Sequence, residues 1–289
     1  MNQKTINEIG DKAASYWKNL AGIIVFGSCV KENRYNDIDL LIVLDEIDKN
    51  RIERLDEIMG FKRTLETKKP VDITLVSKEE CLNNFRNHNP LYLDITLDGK
   101  IVYDTGTLQS LIDETQEYLT DKHIVREKTR WLFPTKKGVS LLSKISNKDW
   151  AESWLKDAKR DLRSAQALHK EGLFEKTVYH SQQCIEKSVK AILICFGAFE
   201  KTHYVSTVLK EETSKKKLNN KNIEEVIRIA ENMEPHMSLS RYPGISHDEI
   251  WLPYEEYDHE IAVESLNSGK KVMKIAKKFI EDWFKNEIR

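Results

Sequence analysis

Apolar positions along this chain recur with two different periods, and the change from one to the other divides it. Through about residue 105, short apolar runs alternate with helix-spaced stripes. Ile6, Ile9, Ala13 and Trp17 recur at helical spacing and predict a helix over 4–19. The run 21–26 is apolar and closes on Gly27-Ser28, as a buried strand meeting a loop does. A second strand is predicted over 37–44, with carboxylates at its start and apolar residues behind them. Ile52, Leu55 and Ile58 share one face of a helix over 48–61. Residues 71–76, after Pro70, read as a third strand, and 100–103, after an Asp98-Gly99 turn, as a fourth.

From about 107 onward the strand pattern disappears. A helix is predicted over 108–131, and Phe133-Pro134 with Gly138 marks a break. Strong amphipathic segments follow over 149–172, 174–196 and 258–284, with a weaker helix at 223–233 and a breaker-rich loop over 234–253. A length of 289 residues agrees with roughly two domains at about 150 residues each. The expected fold is an α+β domain over 1–120, a small mixed sheet with helices. A helical linker over 121–147 then leads to an all-α antiparallel bundle over 148–289.

Charge adds a contrast between the halves. The formal net charge is -1, yet residues 1–120 hold 15 Lys and Arg against 21 Asp and Glu, while the rest hold 31 against 26. An acidic half joined to a mildly basic one suggests two units with different partners, although solvated helix surfaces would also produce the basic excess. No window approaches 18 consecutive apolar residues, and the first ten residues lack a signal-peptide core, so no membrane partner and a cytoplasmic location are expected. Cys29, Cys81, Cys184 and Cys195 form no C-x-x-C pair and no zinc spacing, and are expected as buried small hydrophobes in a reducing compartment.

The chemistry concentrates at Gly27-Ser28 and, after a spacer of eight residues, Asp37-Ile38-Asp39. Residues i and i+2 of a strand face the same way, so Asp37 and Asp39 would stand side by side. Their mutual repulsion favours a cation between them, and hard oxygen ligands suit Mg²⁺ carrying substrate phosphates. Gly27 allows backbone to approach a polyanion, and Ser28 adds a hydroxyl at a helix start, where free N–H groups favour phosphate. Asp72, alternating with Val71 and Ile73, is costly on an apolar strand unless something cationic or hydrogen-bonding receives it.

Gly-Ser, a spacer, Asp-x-Asp and a later-strand Asp resemble the polymerase-beta-like nucleotidyltransferase superfamily, in particular its minimal prokaryotic branch, over roughly residues 15–105. The resemblance implies that Gly27 and Ser28 hold the triphosphate of ATP or another nucleoside triphosphate. It implies that Asp37 and Asp39 bind Mg²⁺, two ions in all, with Asp72 as the third metal carboxylate that helps activate the attacking hydroxyl. Many minimal members have a spacer of ten; eight shortens the helix after Ser28 by about half a turn.

A second pattern runs through Trp154, Ala158, Asp161-Leu162, Ala165 and Gly172, then Tyr179 to Lys187, Lys190-Ala191 and Thr202-His203, with Arg241-Tyr242-Pro243 later. It resembles the HEPN domain over about 148–285, a helical bundle found beside minimal nucleotidyltransferases and in kanamycin nucleotidyltransferase-like enzymes. Trp154, Ala158, Leu162 and Ala165 form a packing stripe. His180 is expected as a satisfied interhelical histidine, and Trp251, Tyr254 and Tyr257 as core or dimer interface. Ribonuclease members carry Arg, four to six residues, then His; Arg241 and His247, with Tyr242 beside the arginine, satisfy that spacing. Pro243-Gly244 would break the helix that usually displays such a pair.

The leading expectation is a Mg²⁺-dependent transferase moving AMP from ATP to a hydroxyl of a small molecule, protein or RNA, the HEPN half shaping the acceptor site and pairing two copies. One alternative is a fused toxin–antitoxin-like regulator whose HEPN half cuts or binds RNA under control of the first half. Another is a nucleotide sensor without catalysis.

Overall fold

A computed structural model describes residues 3–32, 35–127, 130–134, 144–246 and 249–285. The chain divides into two compact units, Met1–His123 and Ile124–Arg289.

The first unit runs α1 (Gln3–Tyr16), β1 (Leu20–Phe26), α2 (Ser28–Lys31), β2 (Ile38–Leu44) and α3 (Leu55–Thr64). It continues through β3 (Val71–Ser77), α4 (Lys78–Arg86), α5 (Pro90–Asp98), β4 (Lys100–Asp104) and α6 (Leu108–Asp121). The sheet order is β3-β2-β1-β4, with β2 and β3 parallel and the other pairs antiparallel. Every residue of β1 is buried, which explains its unbroken apolar run at the centre of a sheet covered on both faces. Ile38, Leu40 and Ile42 of β2 pack with Ala13 of α1, Trp17 just after it and Phe61 of α3. Leu41 and Val43 face the other way, with Phe85, Tyr92 and Ile112 from α4, α5 and α6.

Helices α4 and α5 fill the stretch 78–98, to which hydrophobic spacing alone assigns no element. Their starts are set by caps: Ser77 and Glu80 form a reciprocal capping box, and Asn89 caps α5 with Pro90 in its first turn. The Asp104 carboxylate accepts backbone N–H bonds from Gly106, Thr107, Leu108 and Gln109, which starts α6. Burial opposes its charged form, but these four bonds hold the carboxyl below its ordinary range.

The second unit begins with β5 (Val125–Glu127) and β6 (Arg130–Leu132). The helices α7 (Asn147–Lys170) and α8 (Phe174–Cys195), the strand β7 (Ala198–Phe199), and α9 (Val205–Lys215), α10 (Lys221–Met233) and α11 (His236–Leu239) come next. It ends with β8 (Gly244–Ser246), β9 (Glu249–Trp251), α12 (Pro253–Glu256) and α13 (His259–Lys285). Helices α7 and α8 form a hairpin closed at Gly172, whose φ of 74° suits glycine. Helix α8 lies at the centre, packed by α7, α9, α10 and α13, and Val189, Ile192 and Leu193 anchor the main core.

The bundle is helical as expected, with two small sheets added among the described residues. The helix predicted over 108–131 ends at Asp121, and the chain beyond it turns to β-structure: Trp131 pairs with Phe199, giving the order β5-β6-β7. Burial of Trp131 to 1% exposure, in register with Phe199, overrides the local helical pattern. Part of the expected helical linker therefore belongs to the second unit's sheet. None of the four cysteines is in a disulfide and all are buried, and burial pushes the Cys81 and Cys184 thiols up to about 12, so these two are poor nucleophiles and metal ligands.

Candidate functional site

Strand β1 ends at Phe26, opposite Asp39 in the antiparallel β1–β2 register. Gly27 follows with φ 77°, and a Cβ built on it would overlap Asp39 Oδ2. Glycine is thus required twice, by its backbone conformation and by the closeness of a carboxylate. Ser28 then opens α2, a single turn tied to α5 by a Lys31–Asp98 ion pair of 2.5 Å. So short a helix supplies backbone donors but little of the macrodipole expected from the sequence.

In the parallel β2–β3 pairing Asp39 is the register partner of Asp72. Asp39 shares its face of β2 with Leu41, and Asp72 shares its face of β3 with Val76, and both apolar residues pack on the α4–α5–α6 side. The two carboxylates therefore meet on one face, at the edge where β1 ends and β2 and β3 begin. Asp37 lies one residue before β2 and is exposed, as is Asp72, whereas Asp39 is half-buried. Lys100, which no sequence motif marks, begins β4 opposite Val25 at this same edge. Only pairing register reveals it.

Among the described residues no group of three His, Cys, Asp or Glu side chains is gathered closely enough to hold a metal ion. The donor chemistry nevertheless fits a hard divalent cation: two carboxylates adjacent in register, a third just before the strand, and a glycine that leaves Asp39 uncovered.

In the second unit the Arg241 guanidinium lies 5.1 Å from the Tyr179 ring and 4.8 Å from the Tyr242 ring, a cation flanked by two aromatic faces. Arg241 sits in a turn after α11, and Pro243-Gly244 leads into a β-strand and not a helix. His247 lies outside the described residues. On α8, His180 Nδ1 donates to Asp161 at 3.0 Å, which satisfies the histidine between α7 and α8. Lys187 reaches Asp161 and Asp157, each at 2.6 Å. Deeper in, buried Glu186 accepts from Lys190 at 2.9 Å and His203 at 3.0 Å, so His203 anchors the start of the α9 segment. Tyr257 is buried against His236, Trp251 packs on Gly244, and Tyr254 is exposed.

Burial opposes ionisation of Asp161, but His180 and Lys187 outweigh it and hold the carboxyl below its ordinary range. A depressed folded-state pKa gives stability that is complete above the unfolded value, about 4, and is lost as pH falls through the folded value. The Asp161→Asn variant is expected to be about 1–2 kcal/mol less stable than wild type at pH 7, with the gap closing below about pH 4. Urea midpoints across that range measure it.

Residues 6–103 match the nucleotidyltransferase domain family, and residues 151–282 match the HEPN domain family. A candidate toxin of Methanocaldococcus jannaschii is 35% identical over 139 residues, 47% of this chain and 91% of that protein. A candidate protein adenylyltransferase of the same organism is 28% identical over 111 residues, 36% of this chain and 76% of that protein. Among solved structures, an archaeal HEPN homologue is 28% identical, spanning 45% of this chain and 97% of its own, at a TM-score of 0.36. No described helix is long and apolar enough to cross a membrane.

Proposed function

The chain belongs to the HEPN family and carries a nucleotidyltransferase domain ahead of its HEPN domain, and on that premise we propose that it transfers AMP from ATP to a protein hydroxyl. The observation that carries the reading is the Gly27, Asp39 and Asp72 juxtaposition at one sheet edge. The name of the 28%-identical relative, a candidate protein adenylyltransferase, supports protein as the acceptor class. In the transfer, an acceptor oxygen bonds to the α-phosphorus while the bond to the leaving pyrophosphate breaks. Asp72, the exposed carboxylate of the pair, takes the acceptor proton. Gly27 and Ser28 present backbone and hydroxyl donors to the triphosphate. Asp37 and Asp39, with Asp72, would hold a divalent cation, which offsets phosphate charge and acidifies the attacking hydroxyl.

A second reading follows from the toxin named at 35% identity: the nucleotidyltransferase half would regulate the HEPN half by AMP transfer to a tyrosine. Tyr242, 55% exposed and stacked on Arg241, is the candidate acceptor. Incubating the full chain with ATP and Mg²⁺ and measuring its intact mass separates the two. A gain of one AMP that Tyr242→Phe abolishes supports self-regulation. A gain that appears only on an added protein supports transfer in trans, and pyrophosphate release without either contradicts a protein acceptor.

A further inference from the structure

Helices α7 and α13 leave a groove of about 620 Å³ on the outside of the bundle. The two helices run antiparallel there, since Ala151 packs with Ile280 and Phe284 while Leu162 packs with Leu266. Its floor is apolar, made by Leu155, Met273, Ile280 and Phe284. Its rims are charged with a repeating order: Lys148, Glu152 and Lys156 at one-turn spacing on α7, and Lys277, Glu281 and Lys285 at the same spacing on α13. The antiparallel course sets Lys148 beside Lys285 at one end. Lys156, Lys159 and Lys277 gather at the other, with the two glutamates between. Lys277 reaches Glu281 at 3.8 Å, within its own rim.

We propose that this groove docks an amphipathic helix of a partner protein, one carrying acidic residues at both ends of an apolar stripe. The lysine ends are eight to eleven residues apart along the helices. That span is roughly 12–16 Å, two to three turns of a docked helix. An anionic headgroup with a single tail would need its cations at one end, whereas here they stand at both. A second copy of the same face would bring lysine ends against lysine ends, which repel. Net positive rims around an apolar floor therefore complement acid–apolar–acid spacing. Nothing in the proposal depends on nucleotide transfer in the first unit.

The probe is a fluorescein-labelled helical peptide of about 14 residues, with glutamates at both ends and leucines along one face. Polarisation against the full chain is expected to show saturable binding. The exposed double variant Lys156→Glu with Lys277→Glu is expected to weaken it by about tenfold or more. A second peptide with lysines in place of glutamates at the matching end is expected to recover binding to that variant. Circular dichroism checks that the variant stays folded. Equal binding by wild type and variant, or no binding at all, overturns the proposal. So does co-sedimentation with phosphatidylglycerol vesicles in place of peptide binding, or self-association of the chain that the same variant abolishes.

Discussion

Exchanging Asp37 and Asp39 together for asparagine is expected to lower AMP transfer by about a thousandfold or more while leaving the first unit folded. Losing a metal that stabilises transition-state charge by several kcal/mol corresponds to about three decades, at 1.36 kcal/mol per decade. Stability should hold because Asp37 is exposed and Asp39 only half-buried, both at the sheet edge and outside the packed core. Removing the Asp39 charge also relieves its repulsion with its register partner Asp72. A radiolabelled-ATP transfer assay, run beside thermal unfolding, gives both quantities. Activity within a few-fold of wild type would remove the carboxylates from the chemistry.

The Gly27→Ala substitution is expected to be nearly as damaging by a different route. At φ 77° an alanine costs about 1–2 kcal/mol of backbone strain. The larger effect is that the new methyl and Asp39 Oδ2 cannot share the space they would occupy. Either the carboxylate rotates away or the 27–28 backbone shifts, and a displacement of about 1 Å at a reacting centre costs about a hundredfold in rate. The Asp39→Ala background distinguishes the two effects: with the carboxylate gone, the stability loss from Gly27→Ala should shrink to the backbone strain alone. Urea midpoints of the four proteins in that cycle measure the coupling.

Much of this site is legible in the sequence, because a strand's period of two and a glycine before a hydroxyl leave marks that survive without tertiary information. The strands carrying Phe26, Asp39 and Asp72 are evident from their apolar runs, each within a residue or so of its observed end. Register is not legible. That Asp39 faces Asp72, and that Lys100 stands at the same edge, depends on which strands pair, and that is decided by packing on both faces of the sheet. The helical half shows the converse. Its long helices are evident from their stripes, but α9 and the strand pairing of Trp131 with Phe199 are not. Such pairing joins residues far apart in sequence, where local periodicity says nothing. The negative charge of the first half gains partial meaning at the sheet edge. Part of the positive excess of the second gathers as lysines around one groove.

The carboxylates at the sheet edge are proposed to bind nucleotide through a divalent cation, and calorimetric titration of the full chain with ATP tests this without knowledge of the acceptor. Binding is predicted to require Mg²⁺, to disappear when the ion is chelated, and to be lost in the Asp37→Asn, Asp39→Asn double variant. ATP binding of equal strength with and without Mg²⁺, equal binding by wild type and the double variant, or no binding at all, would contradict it.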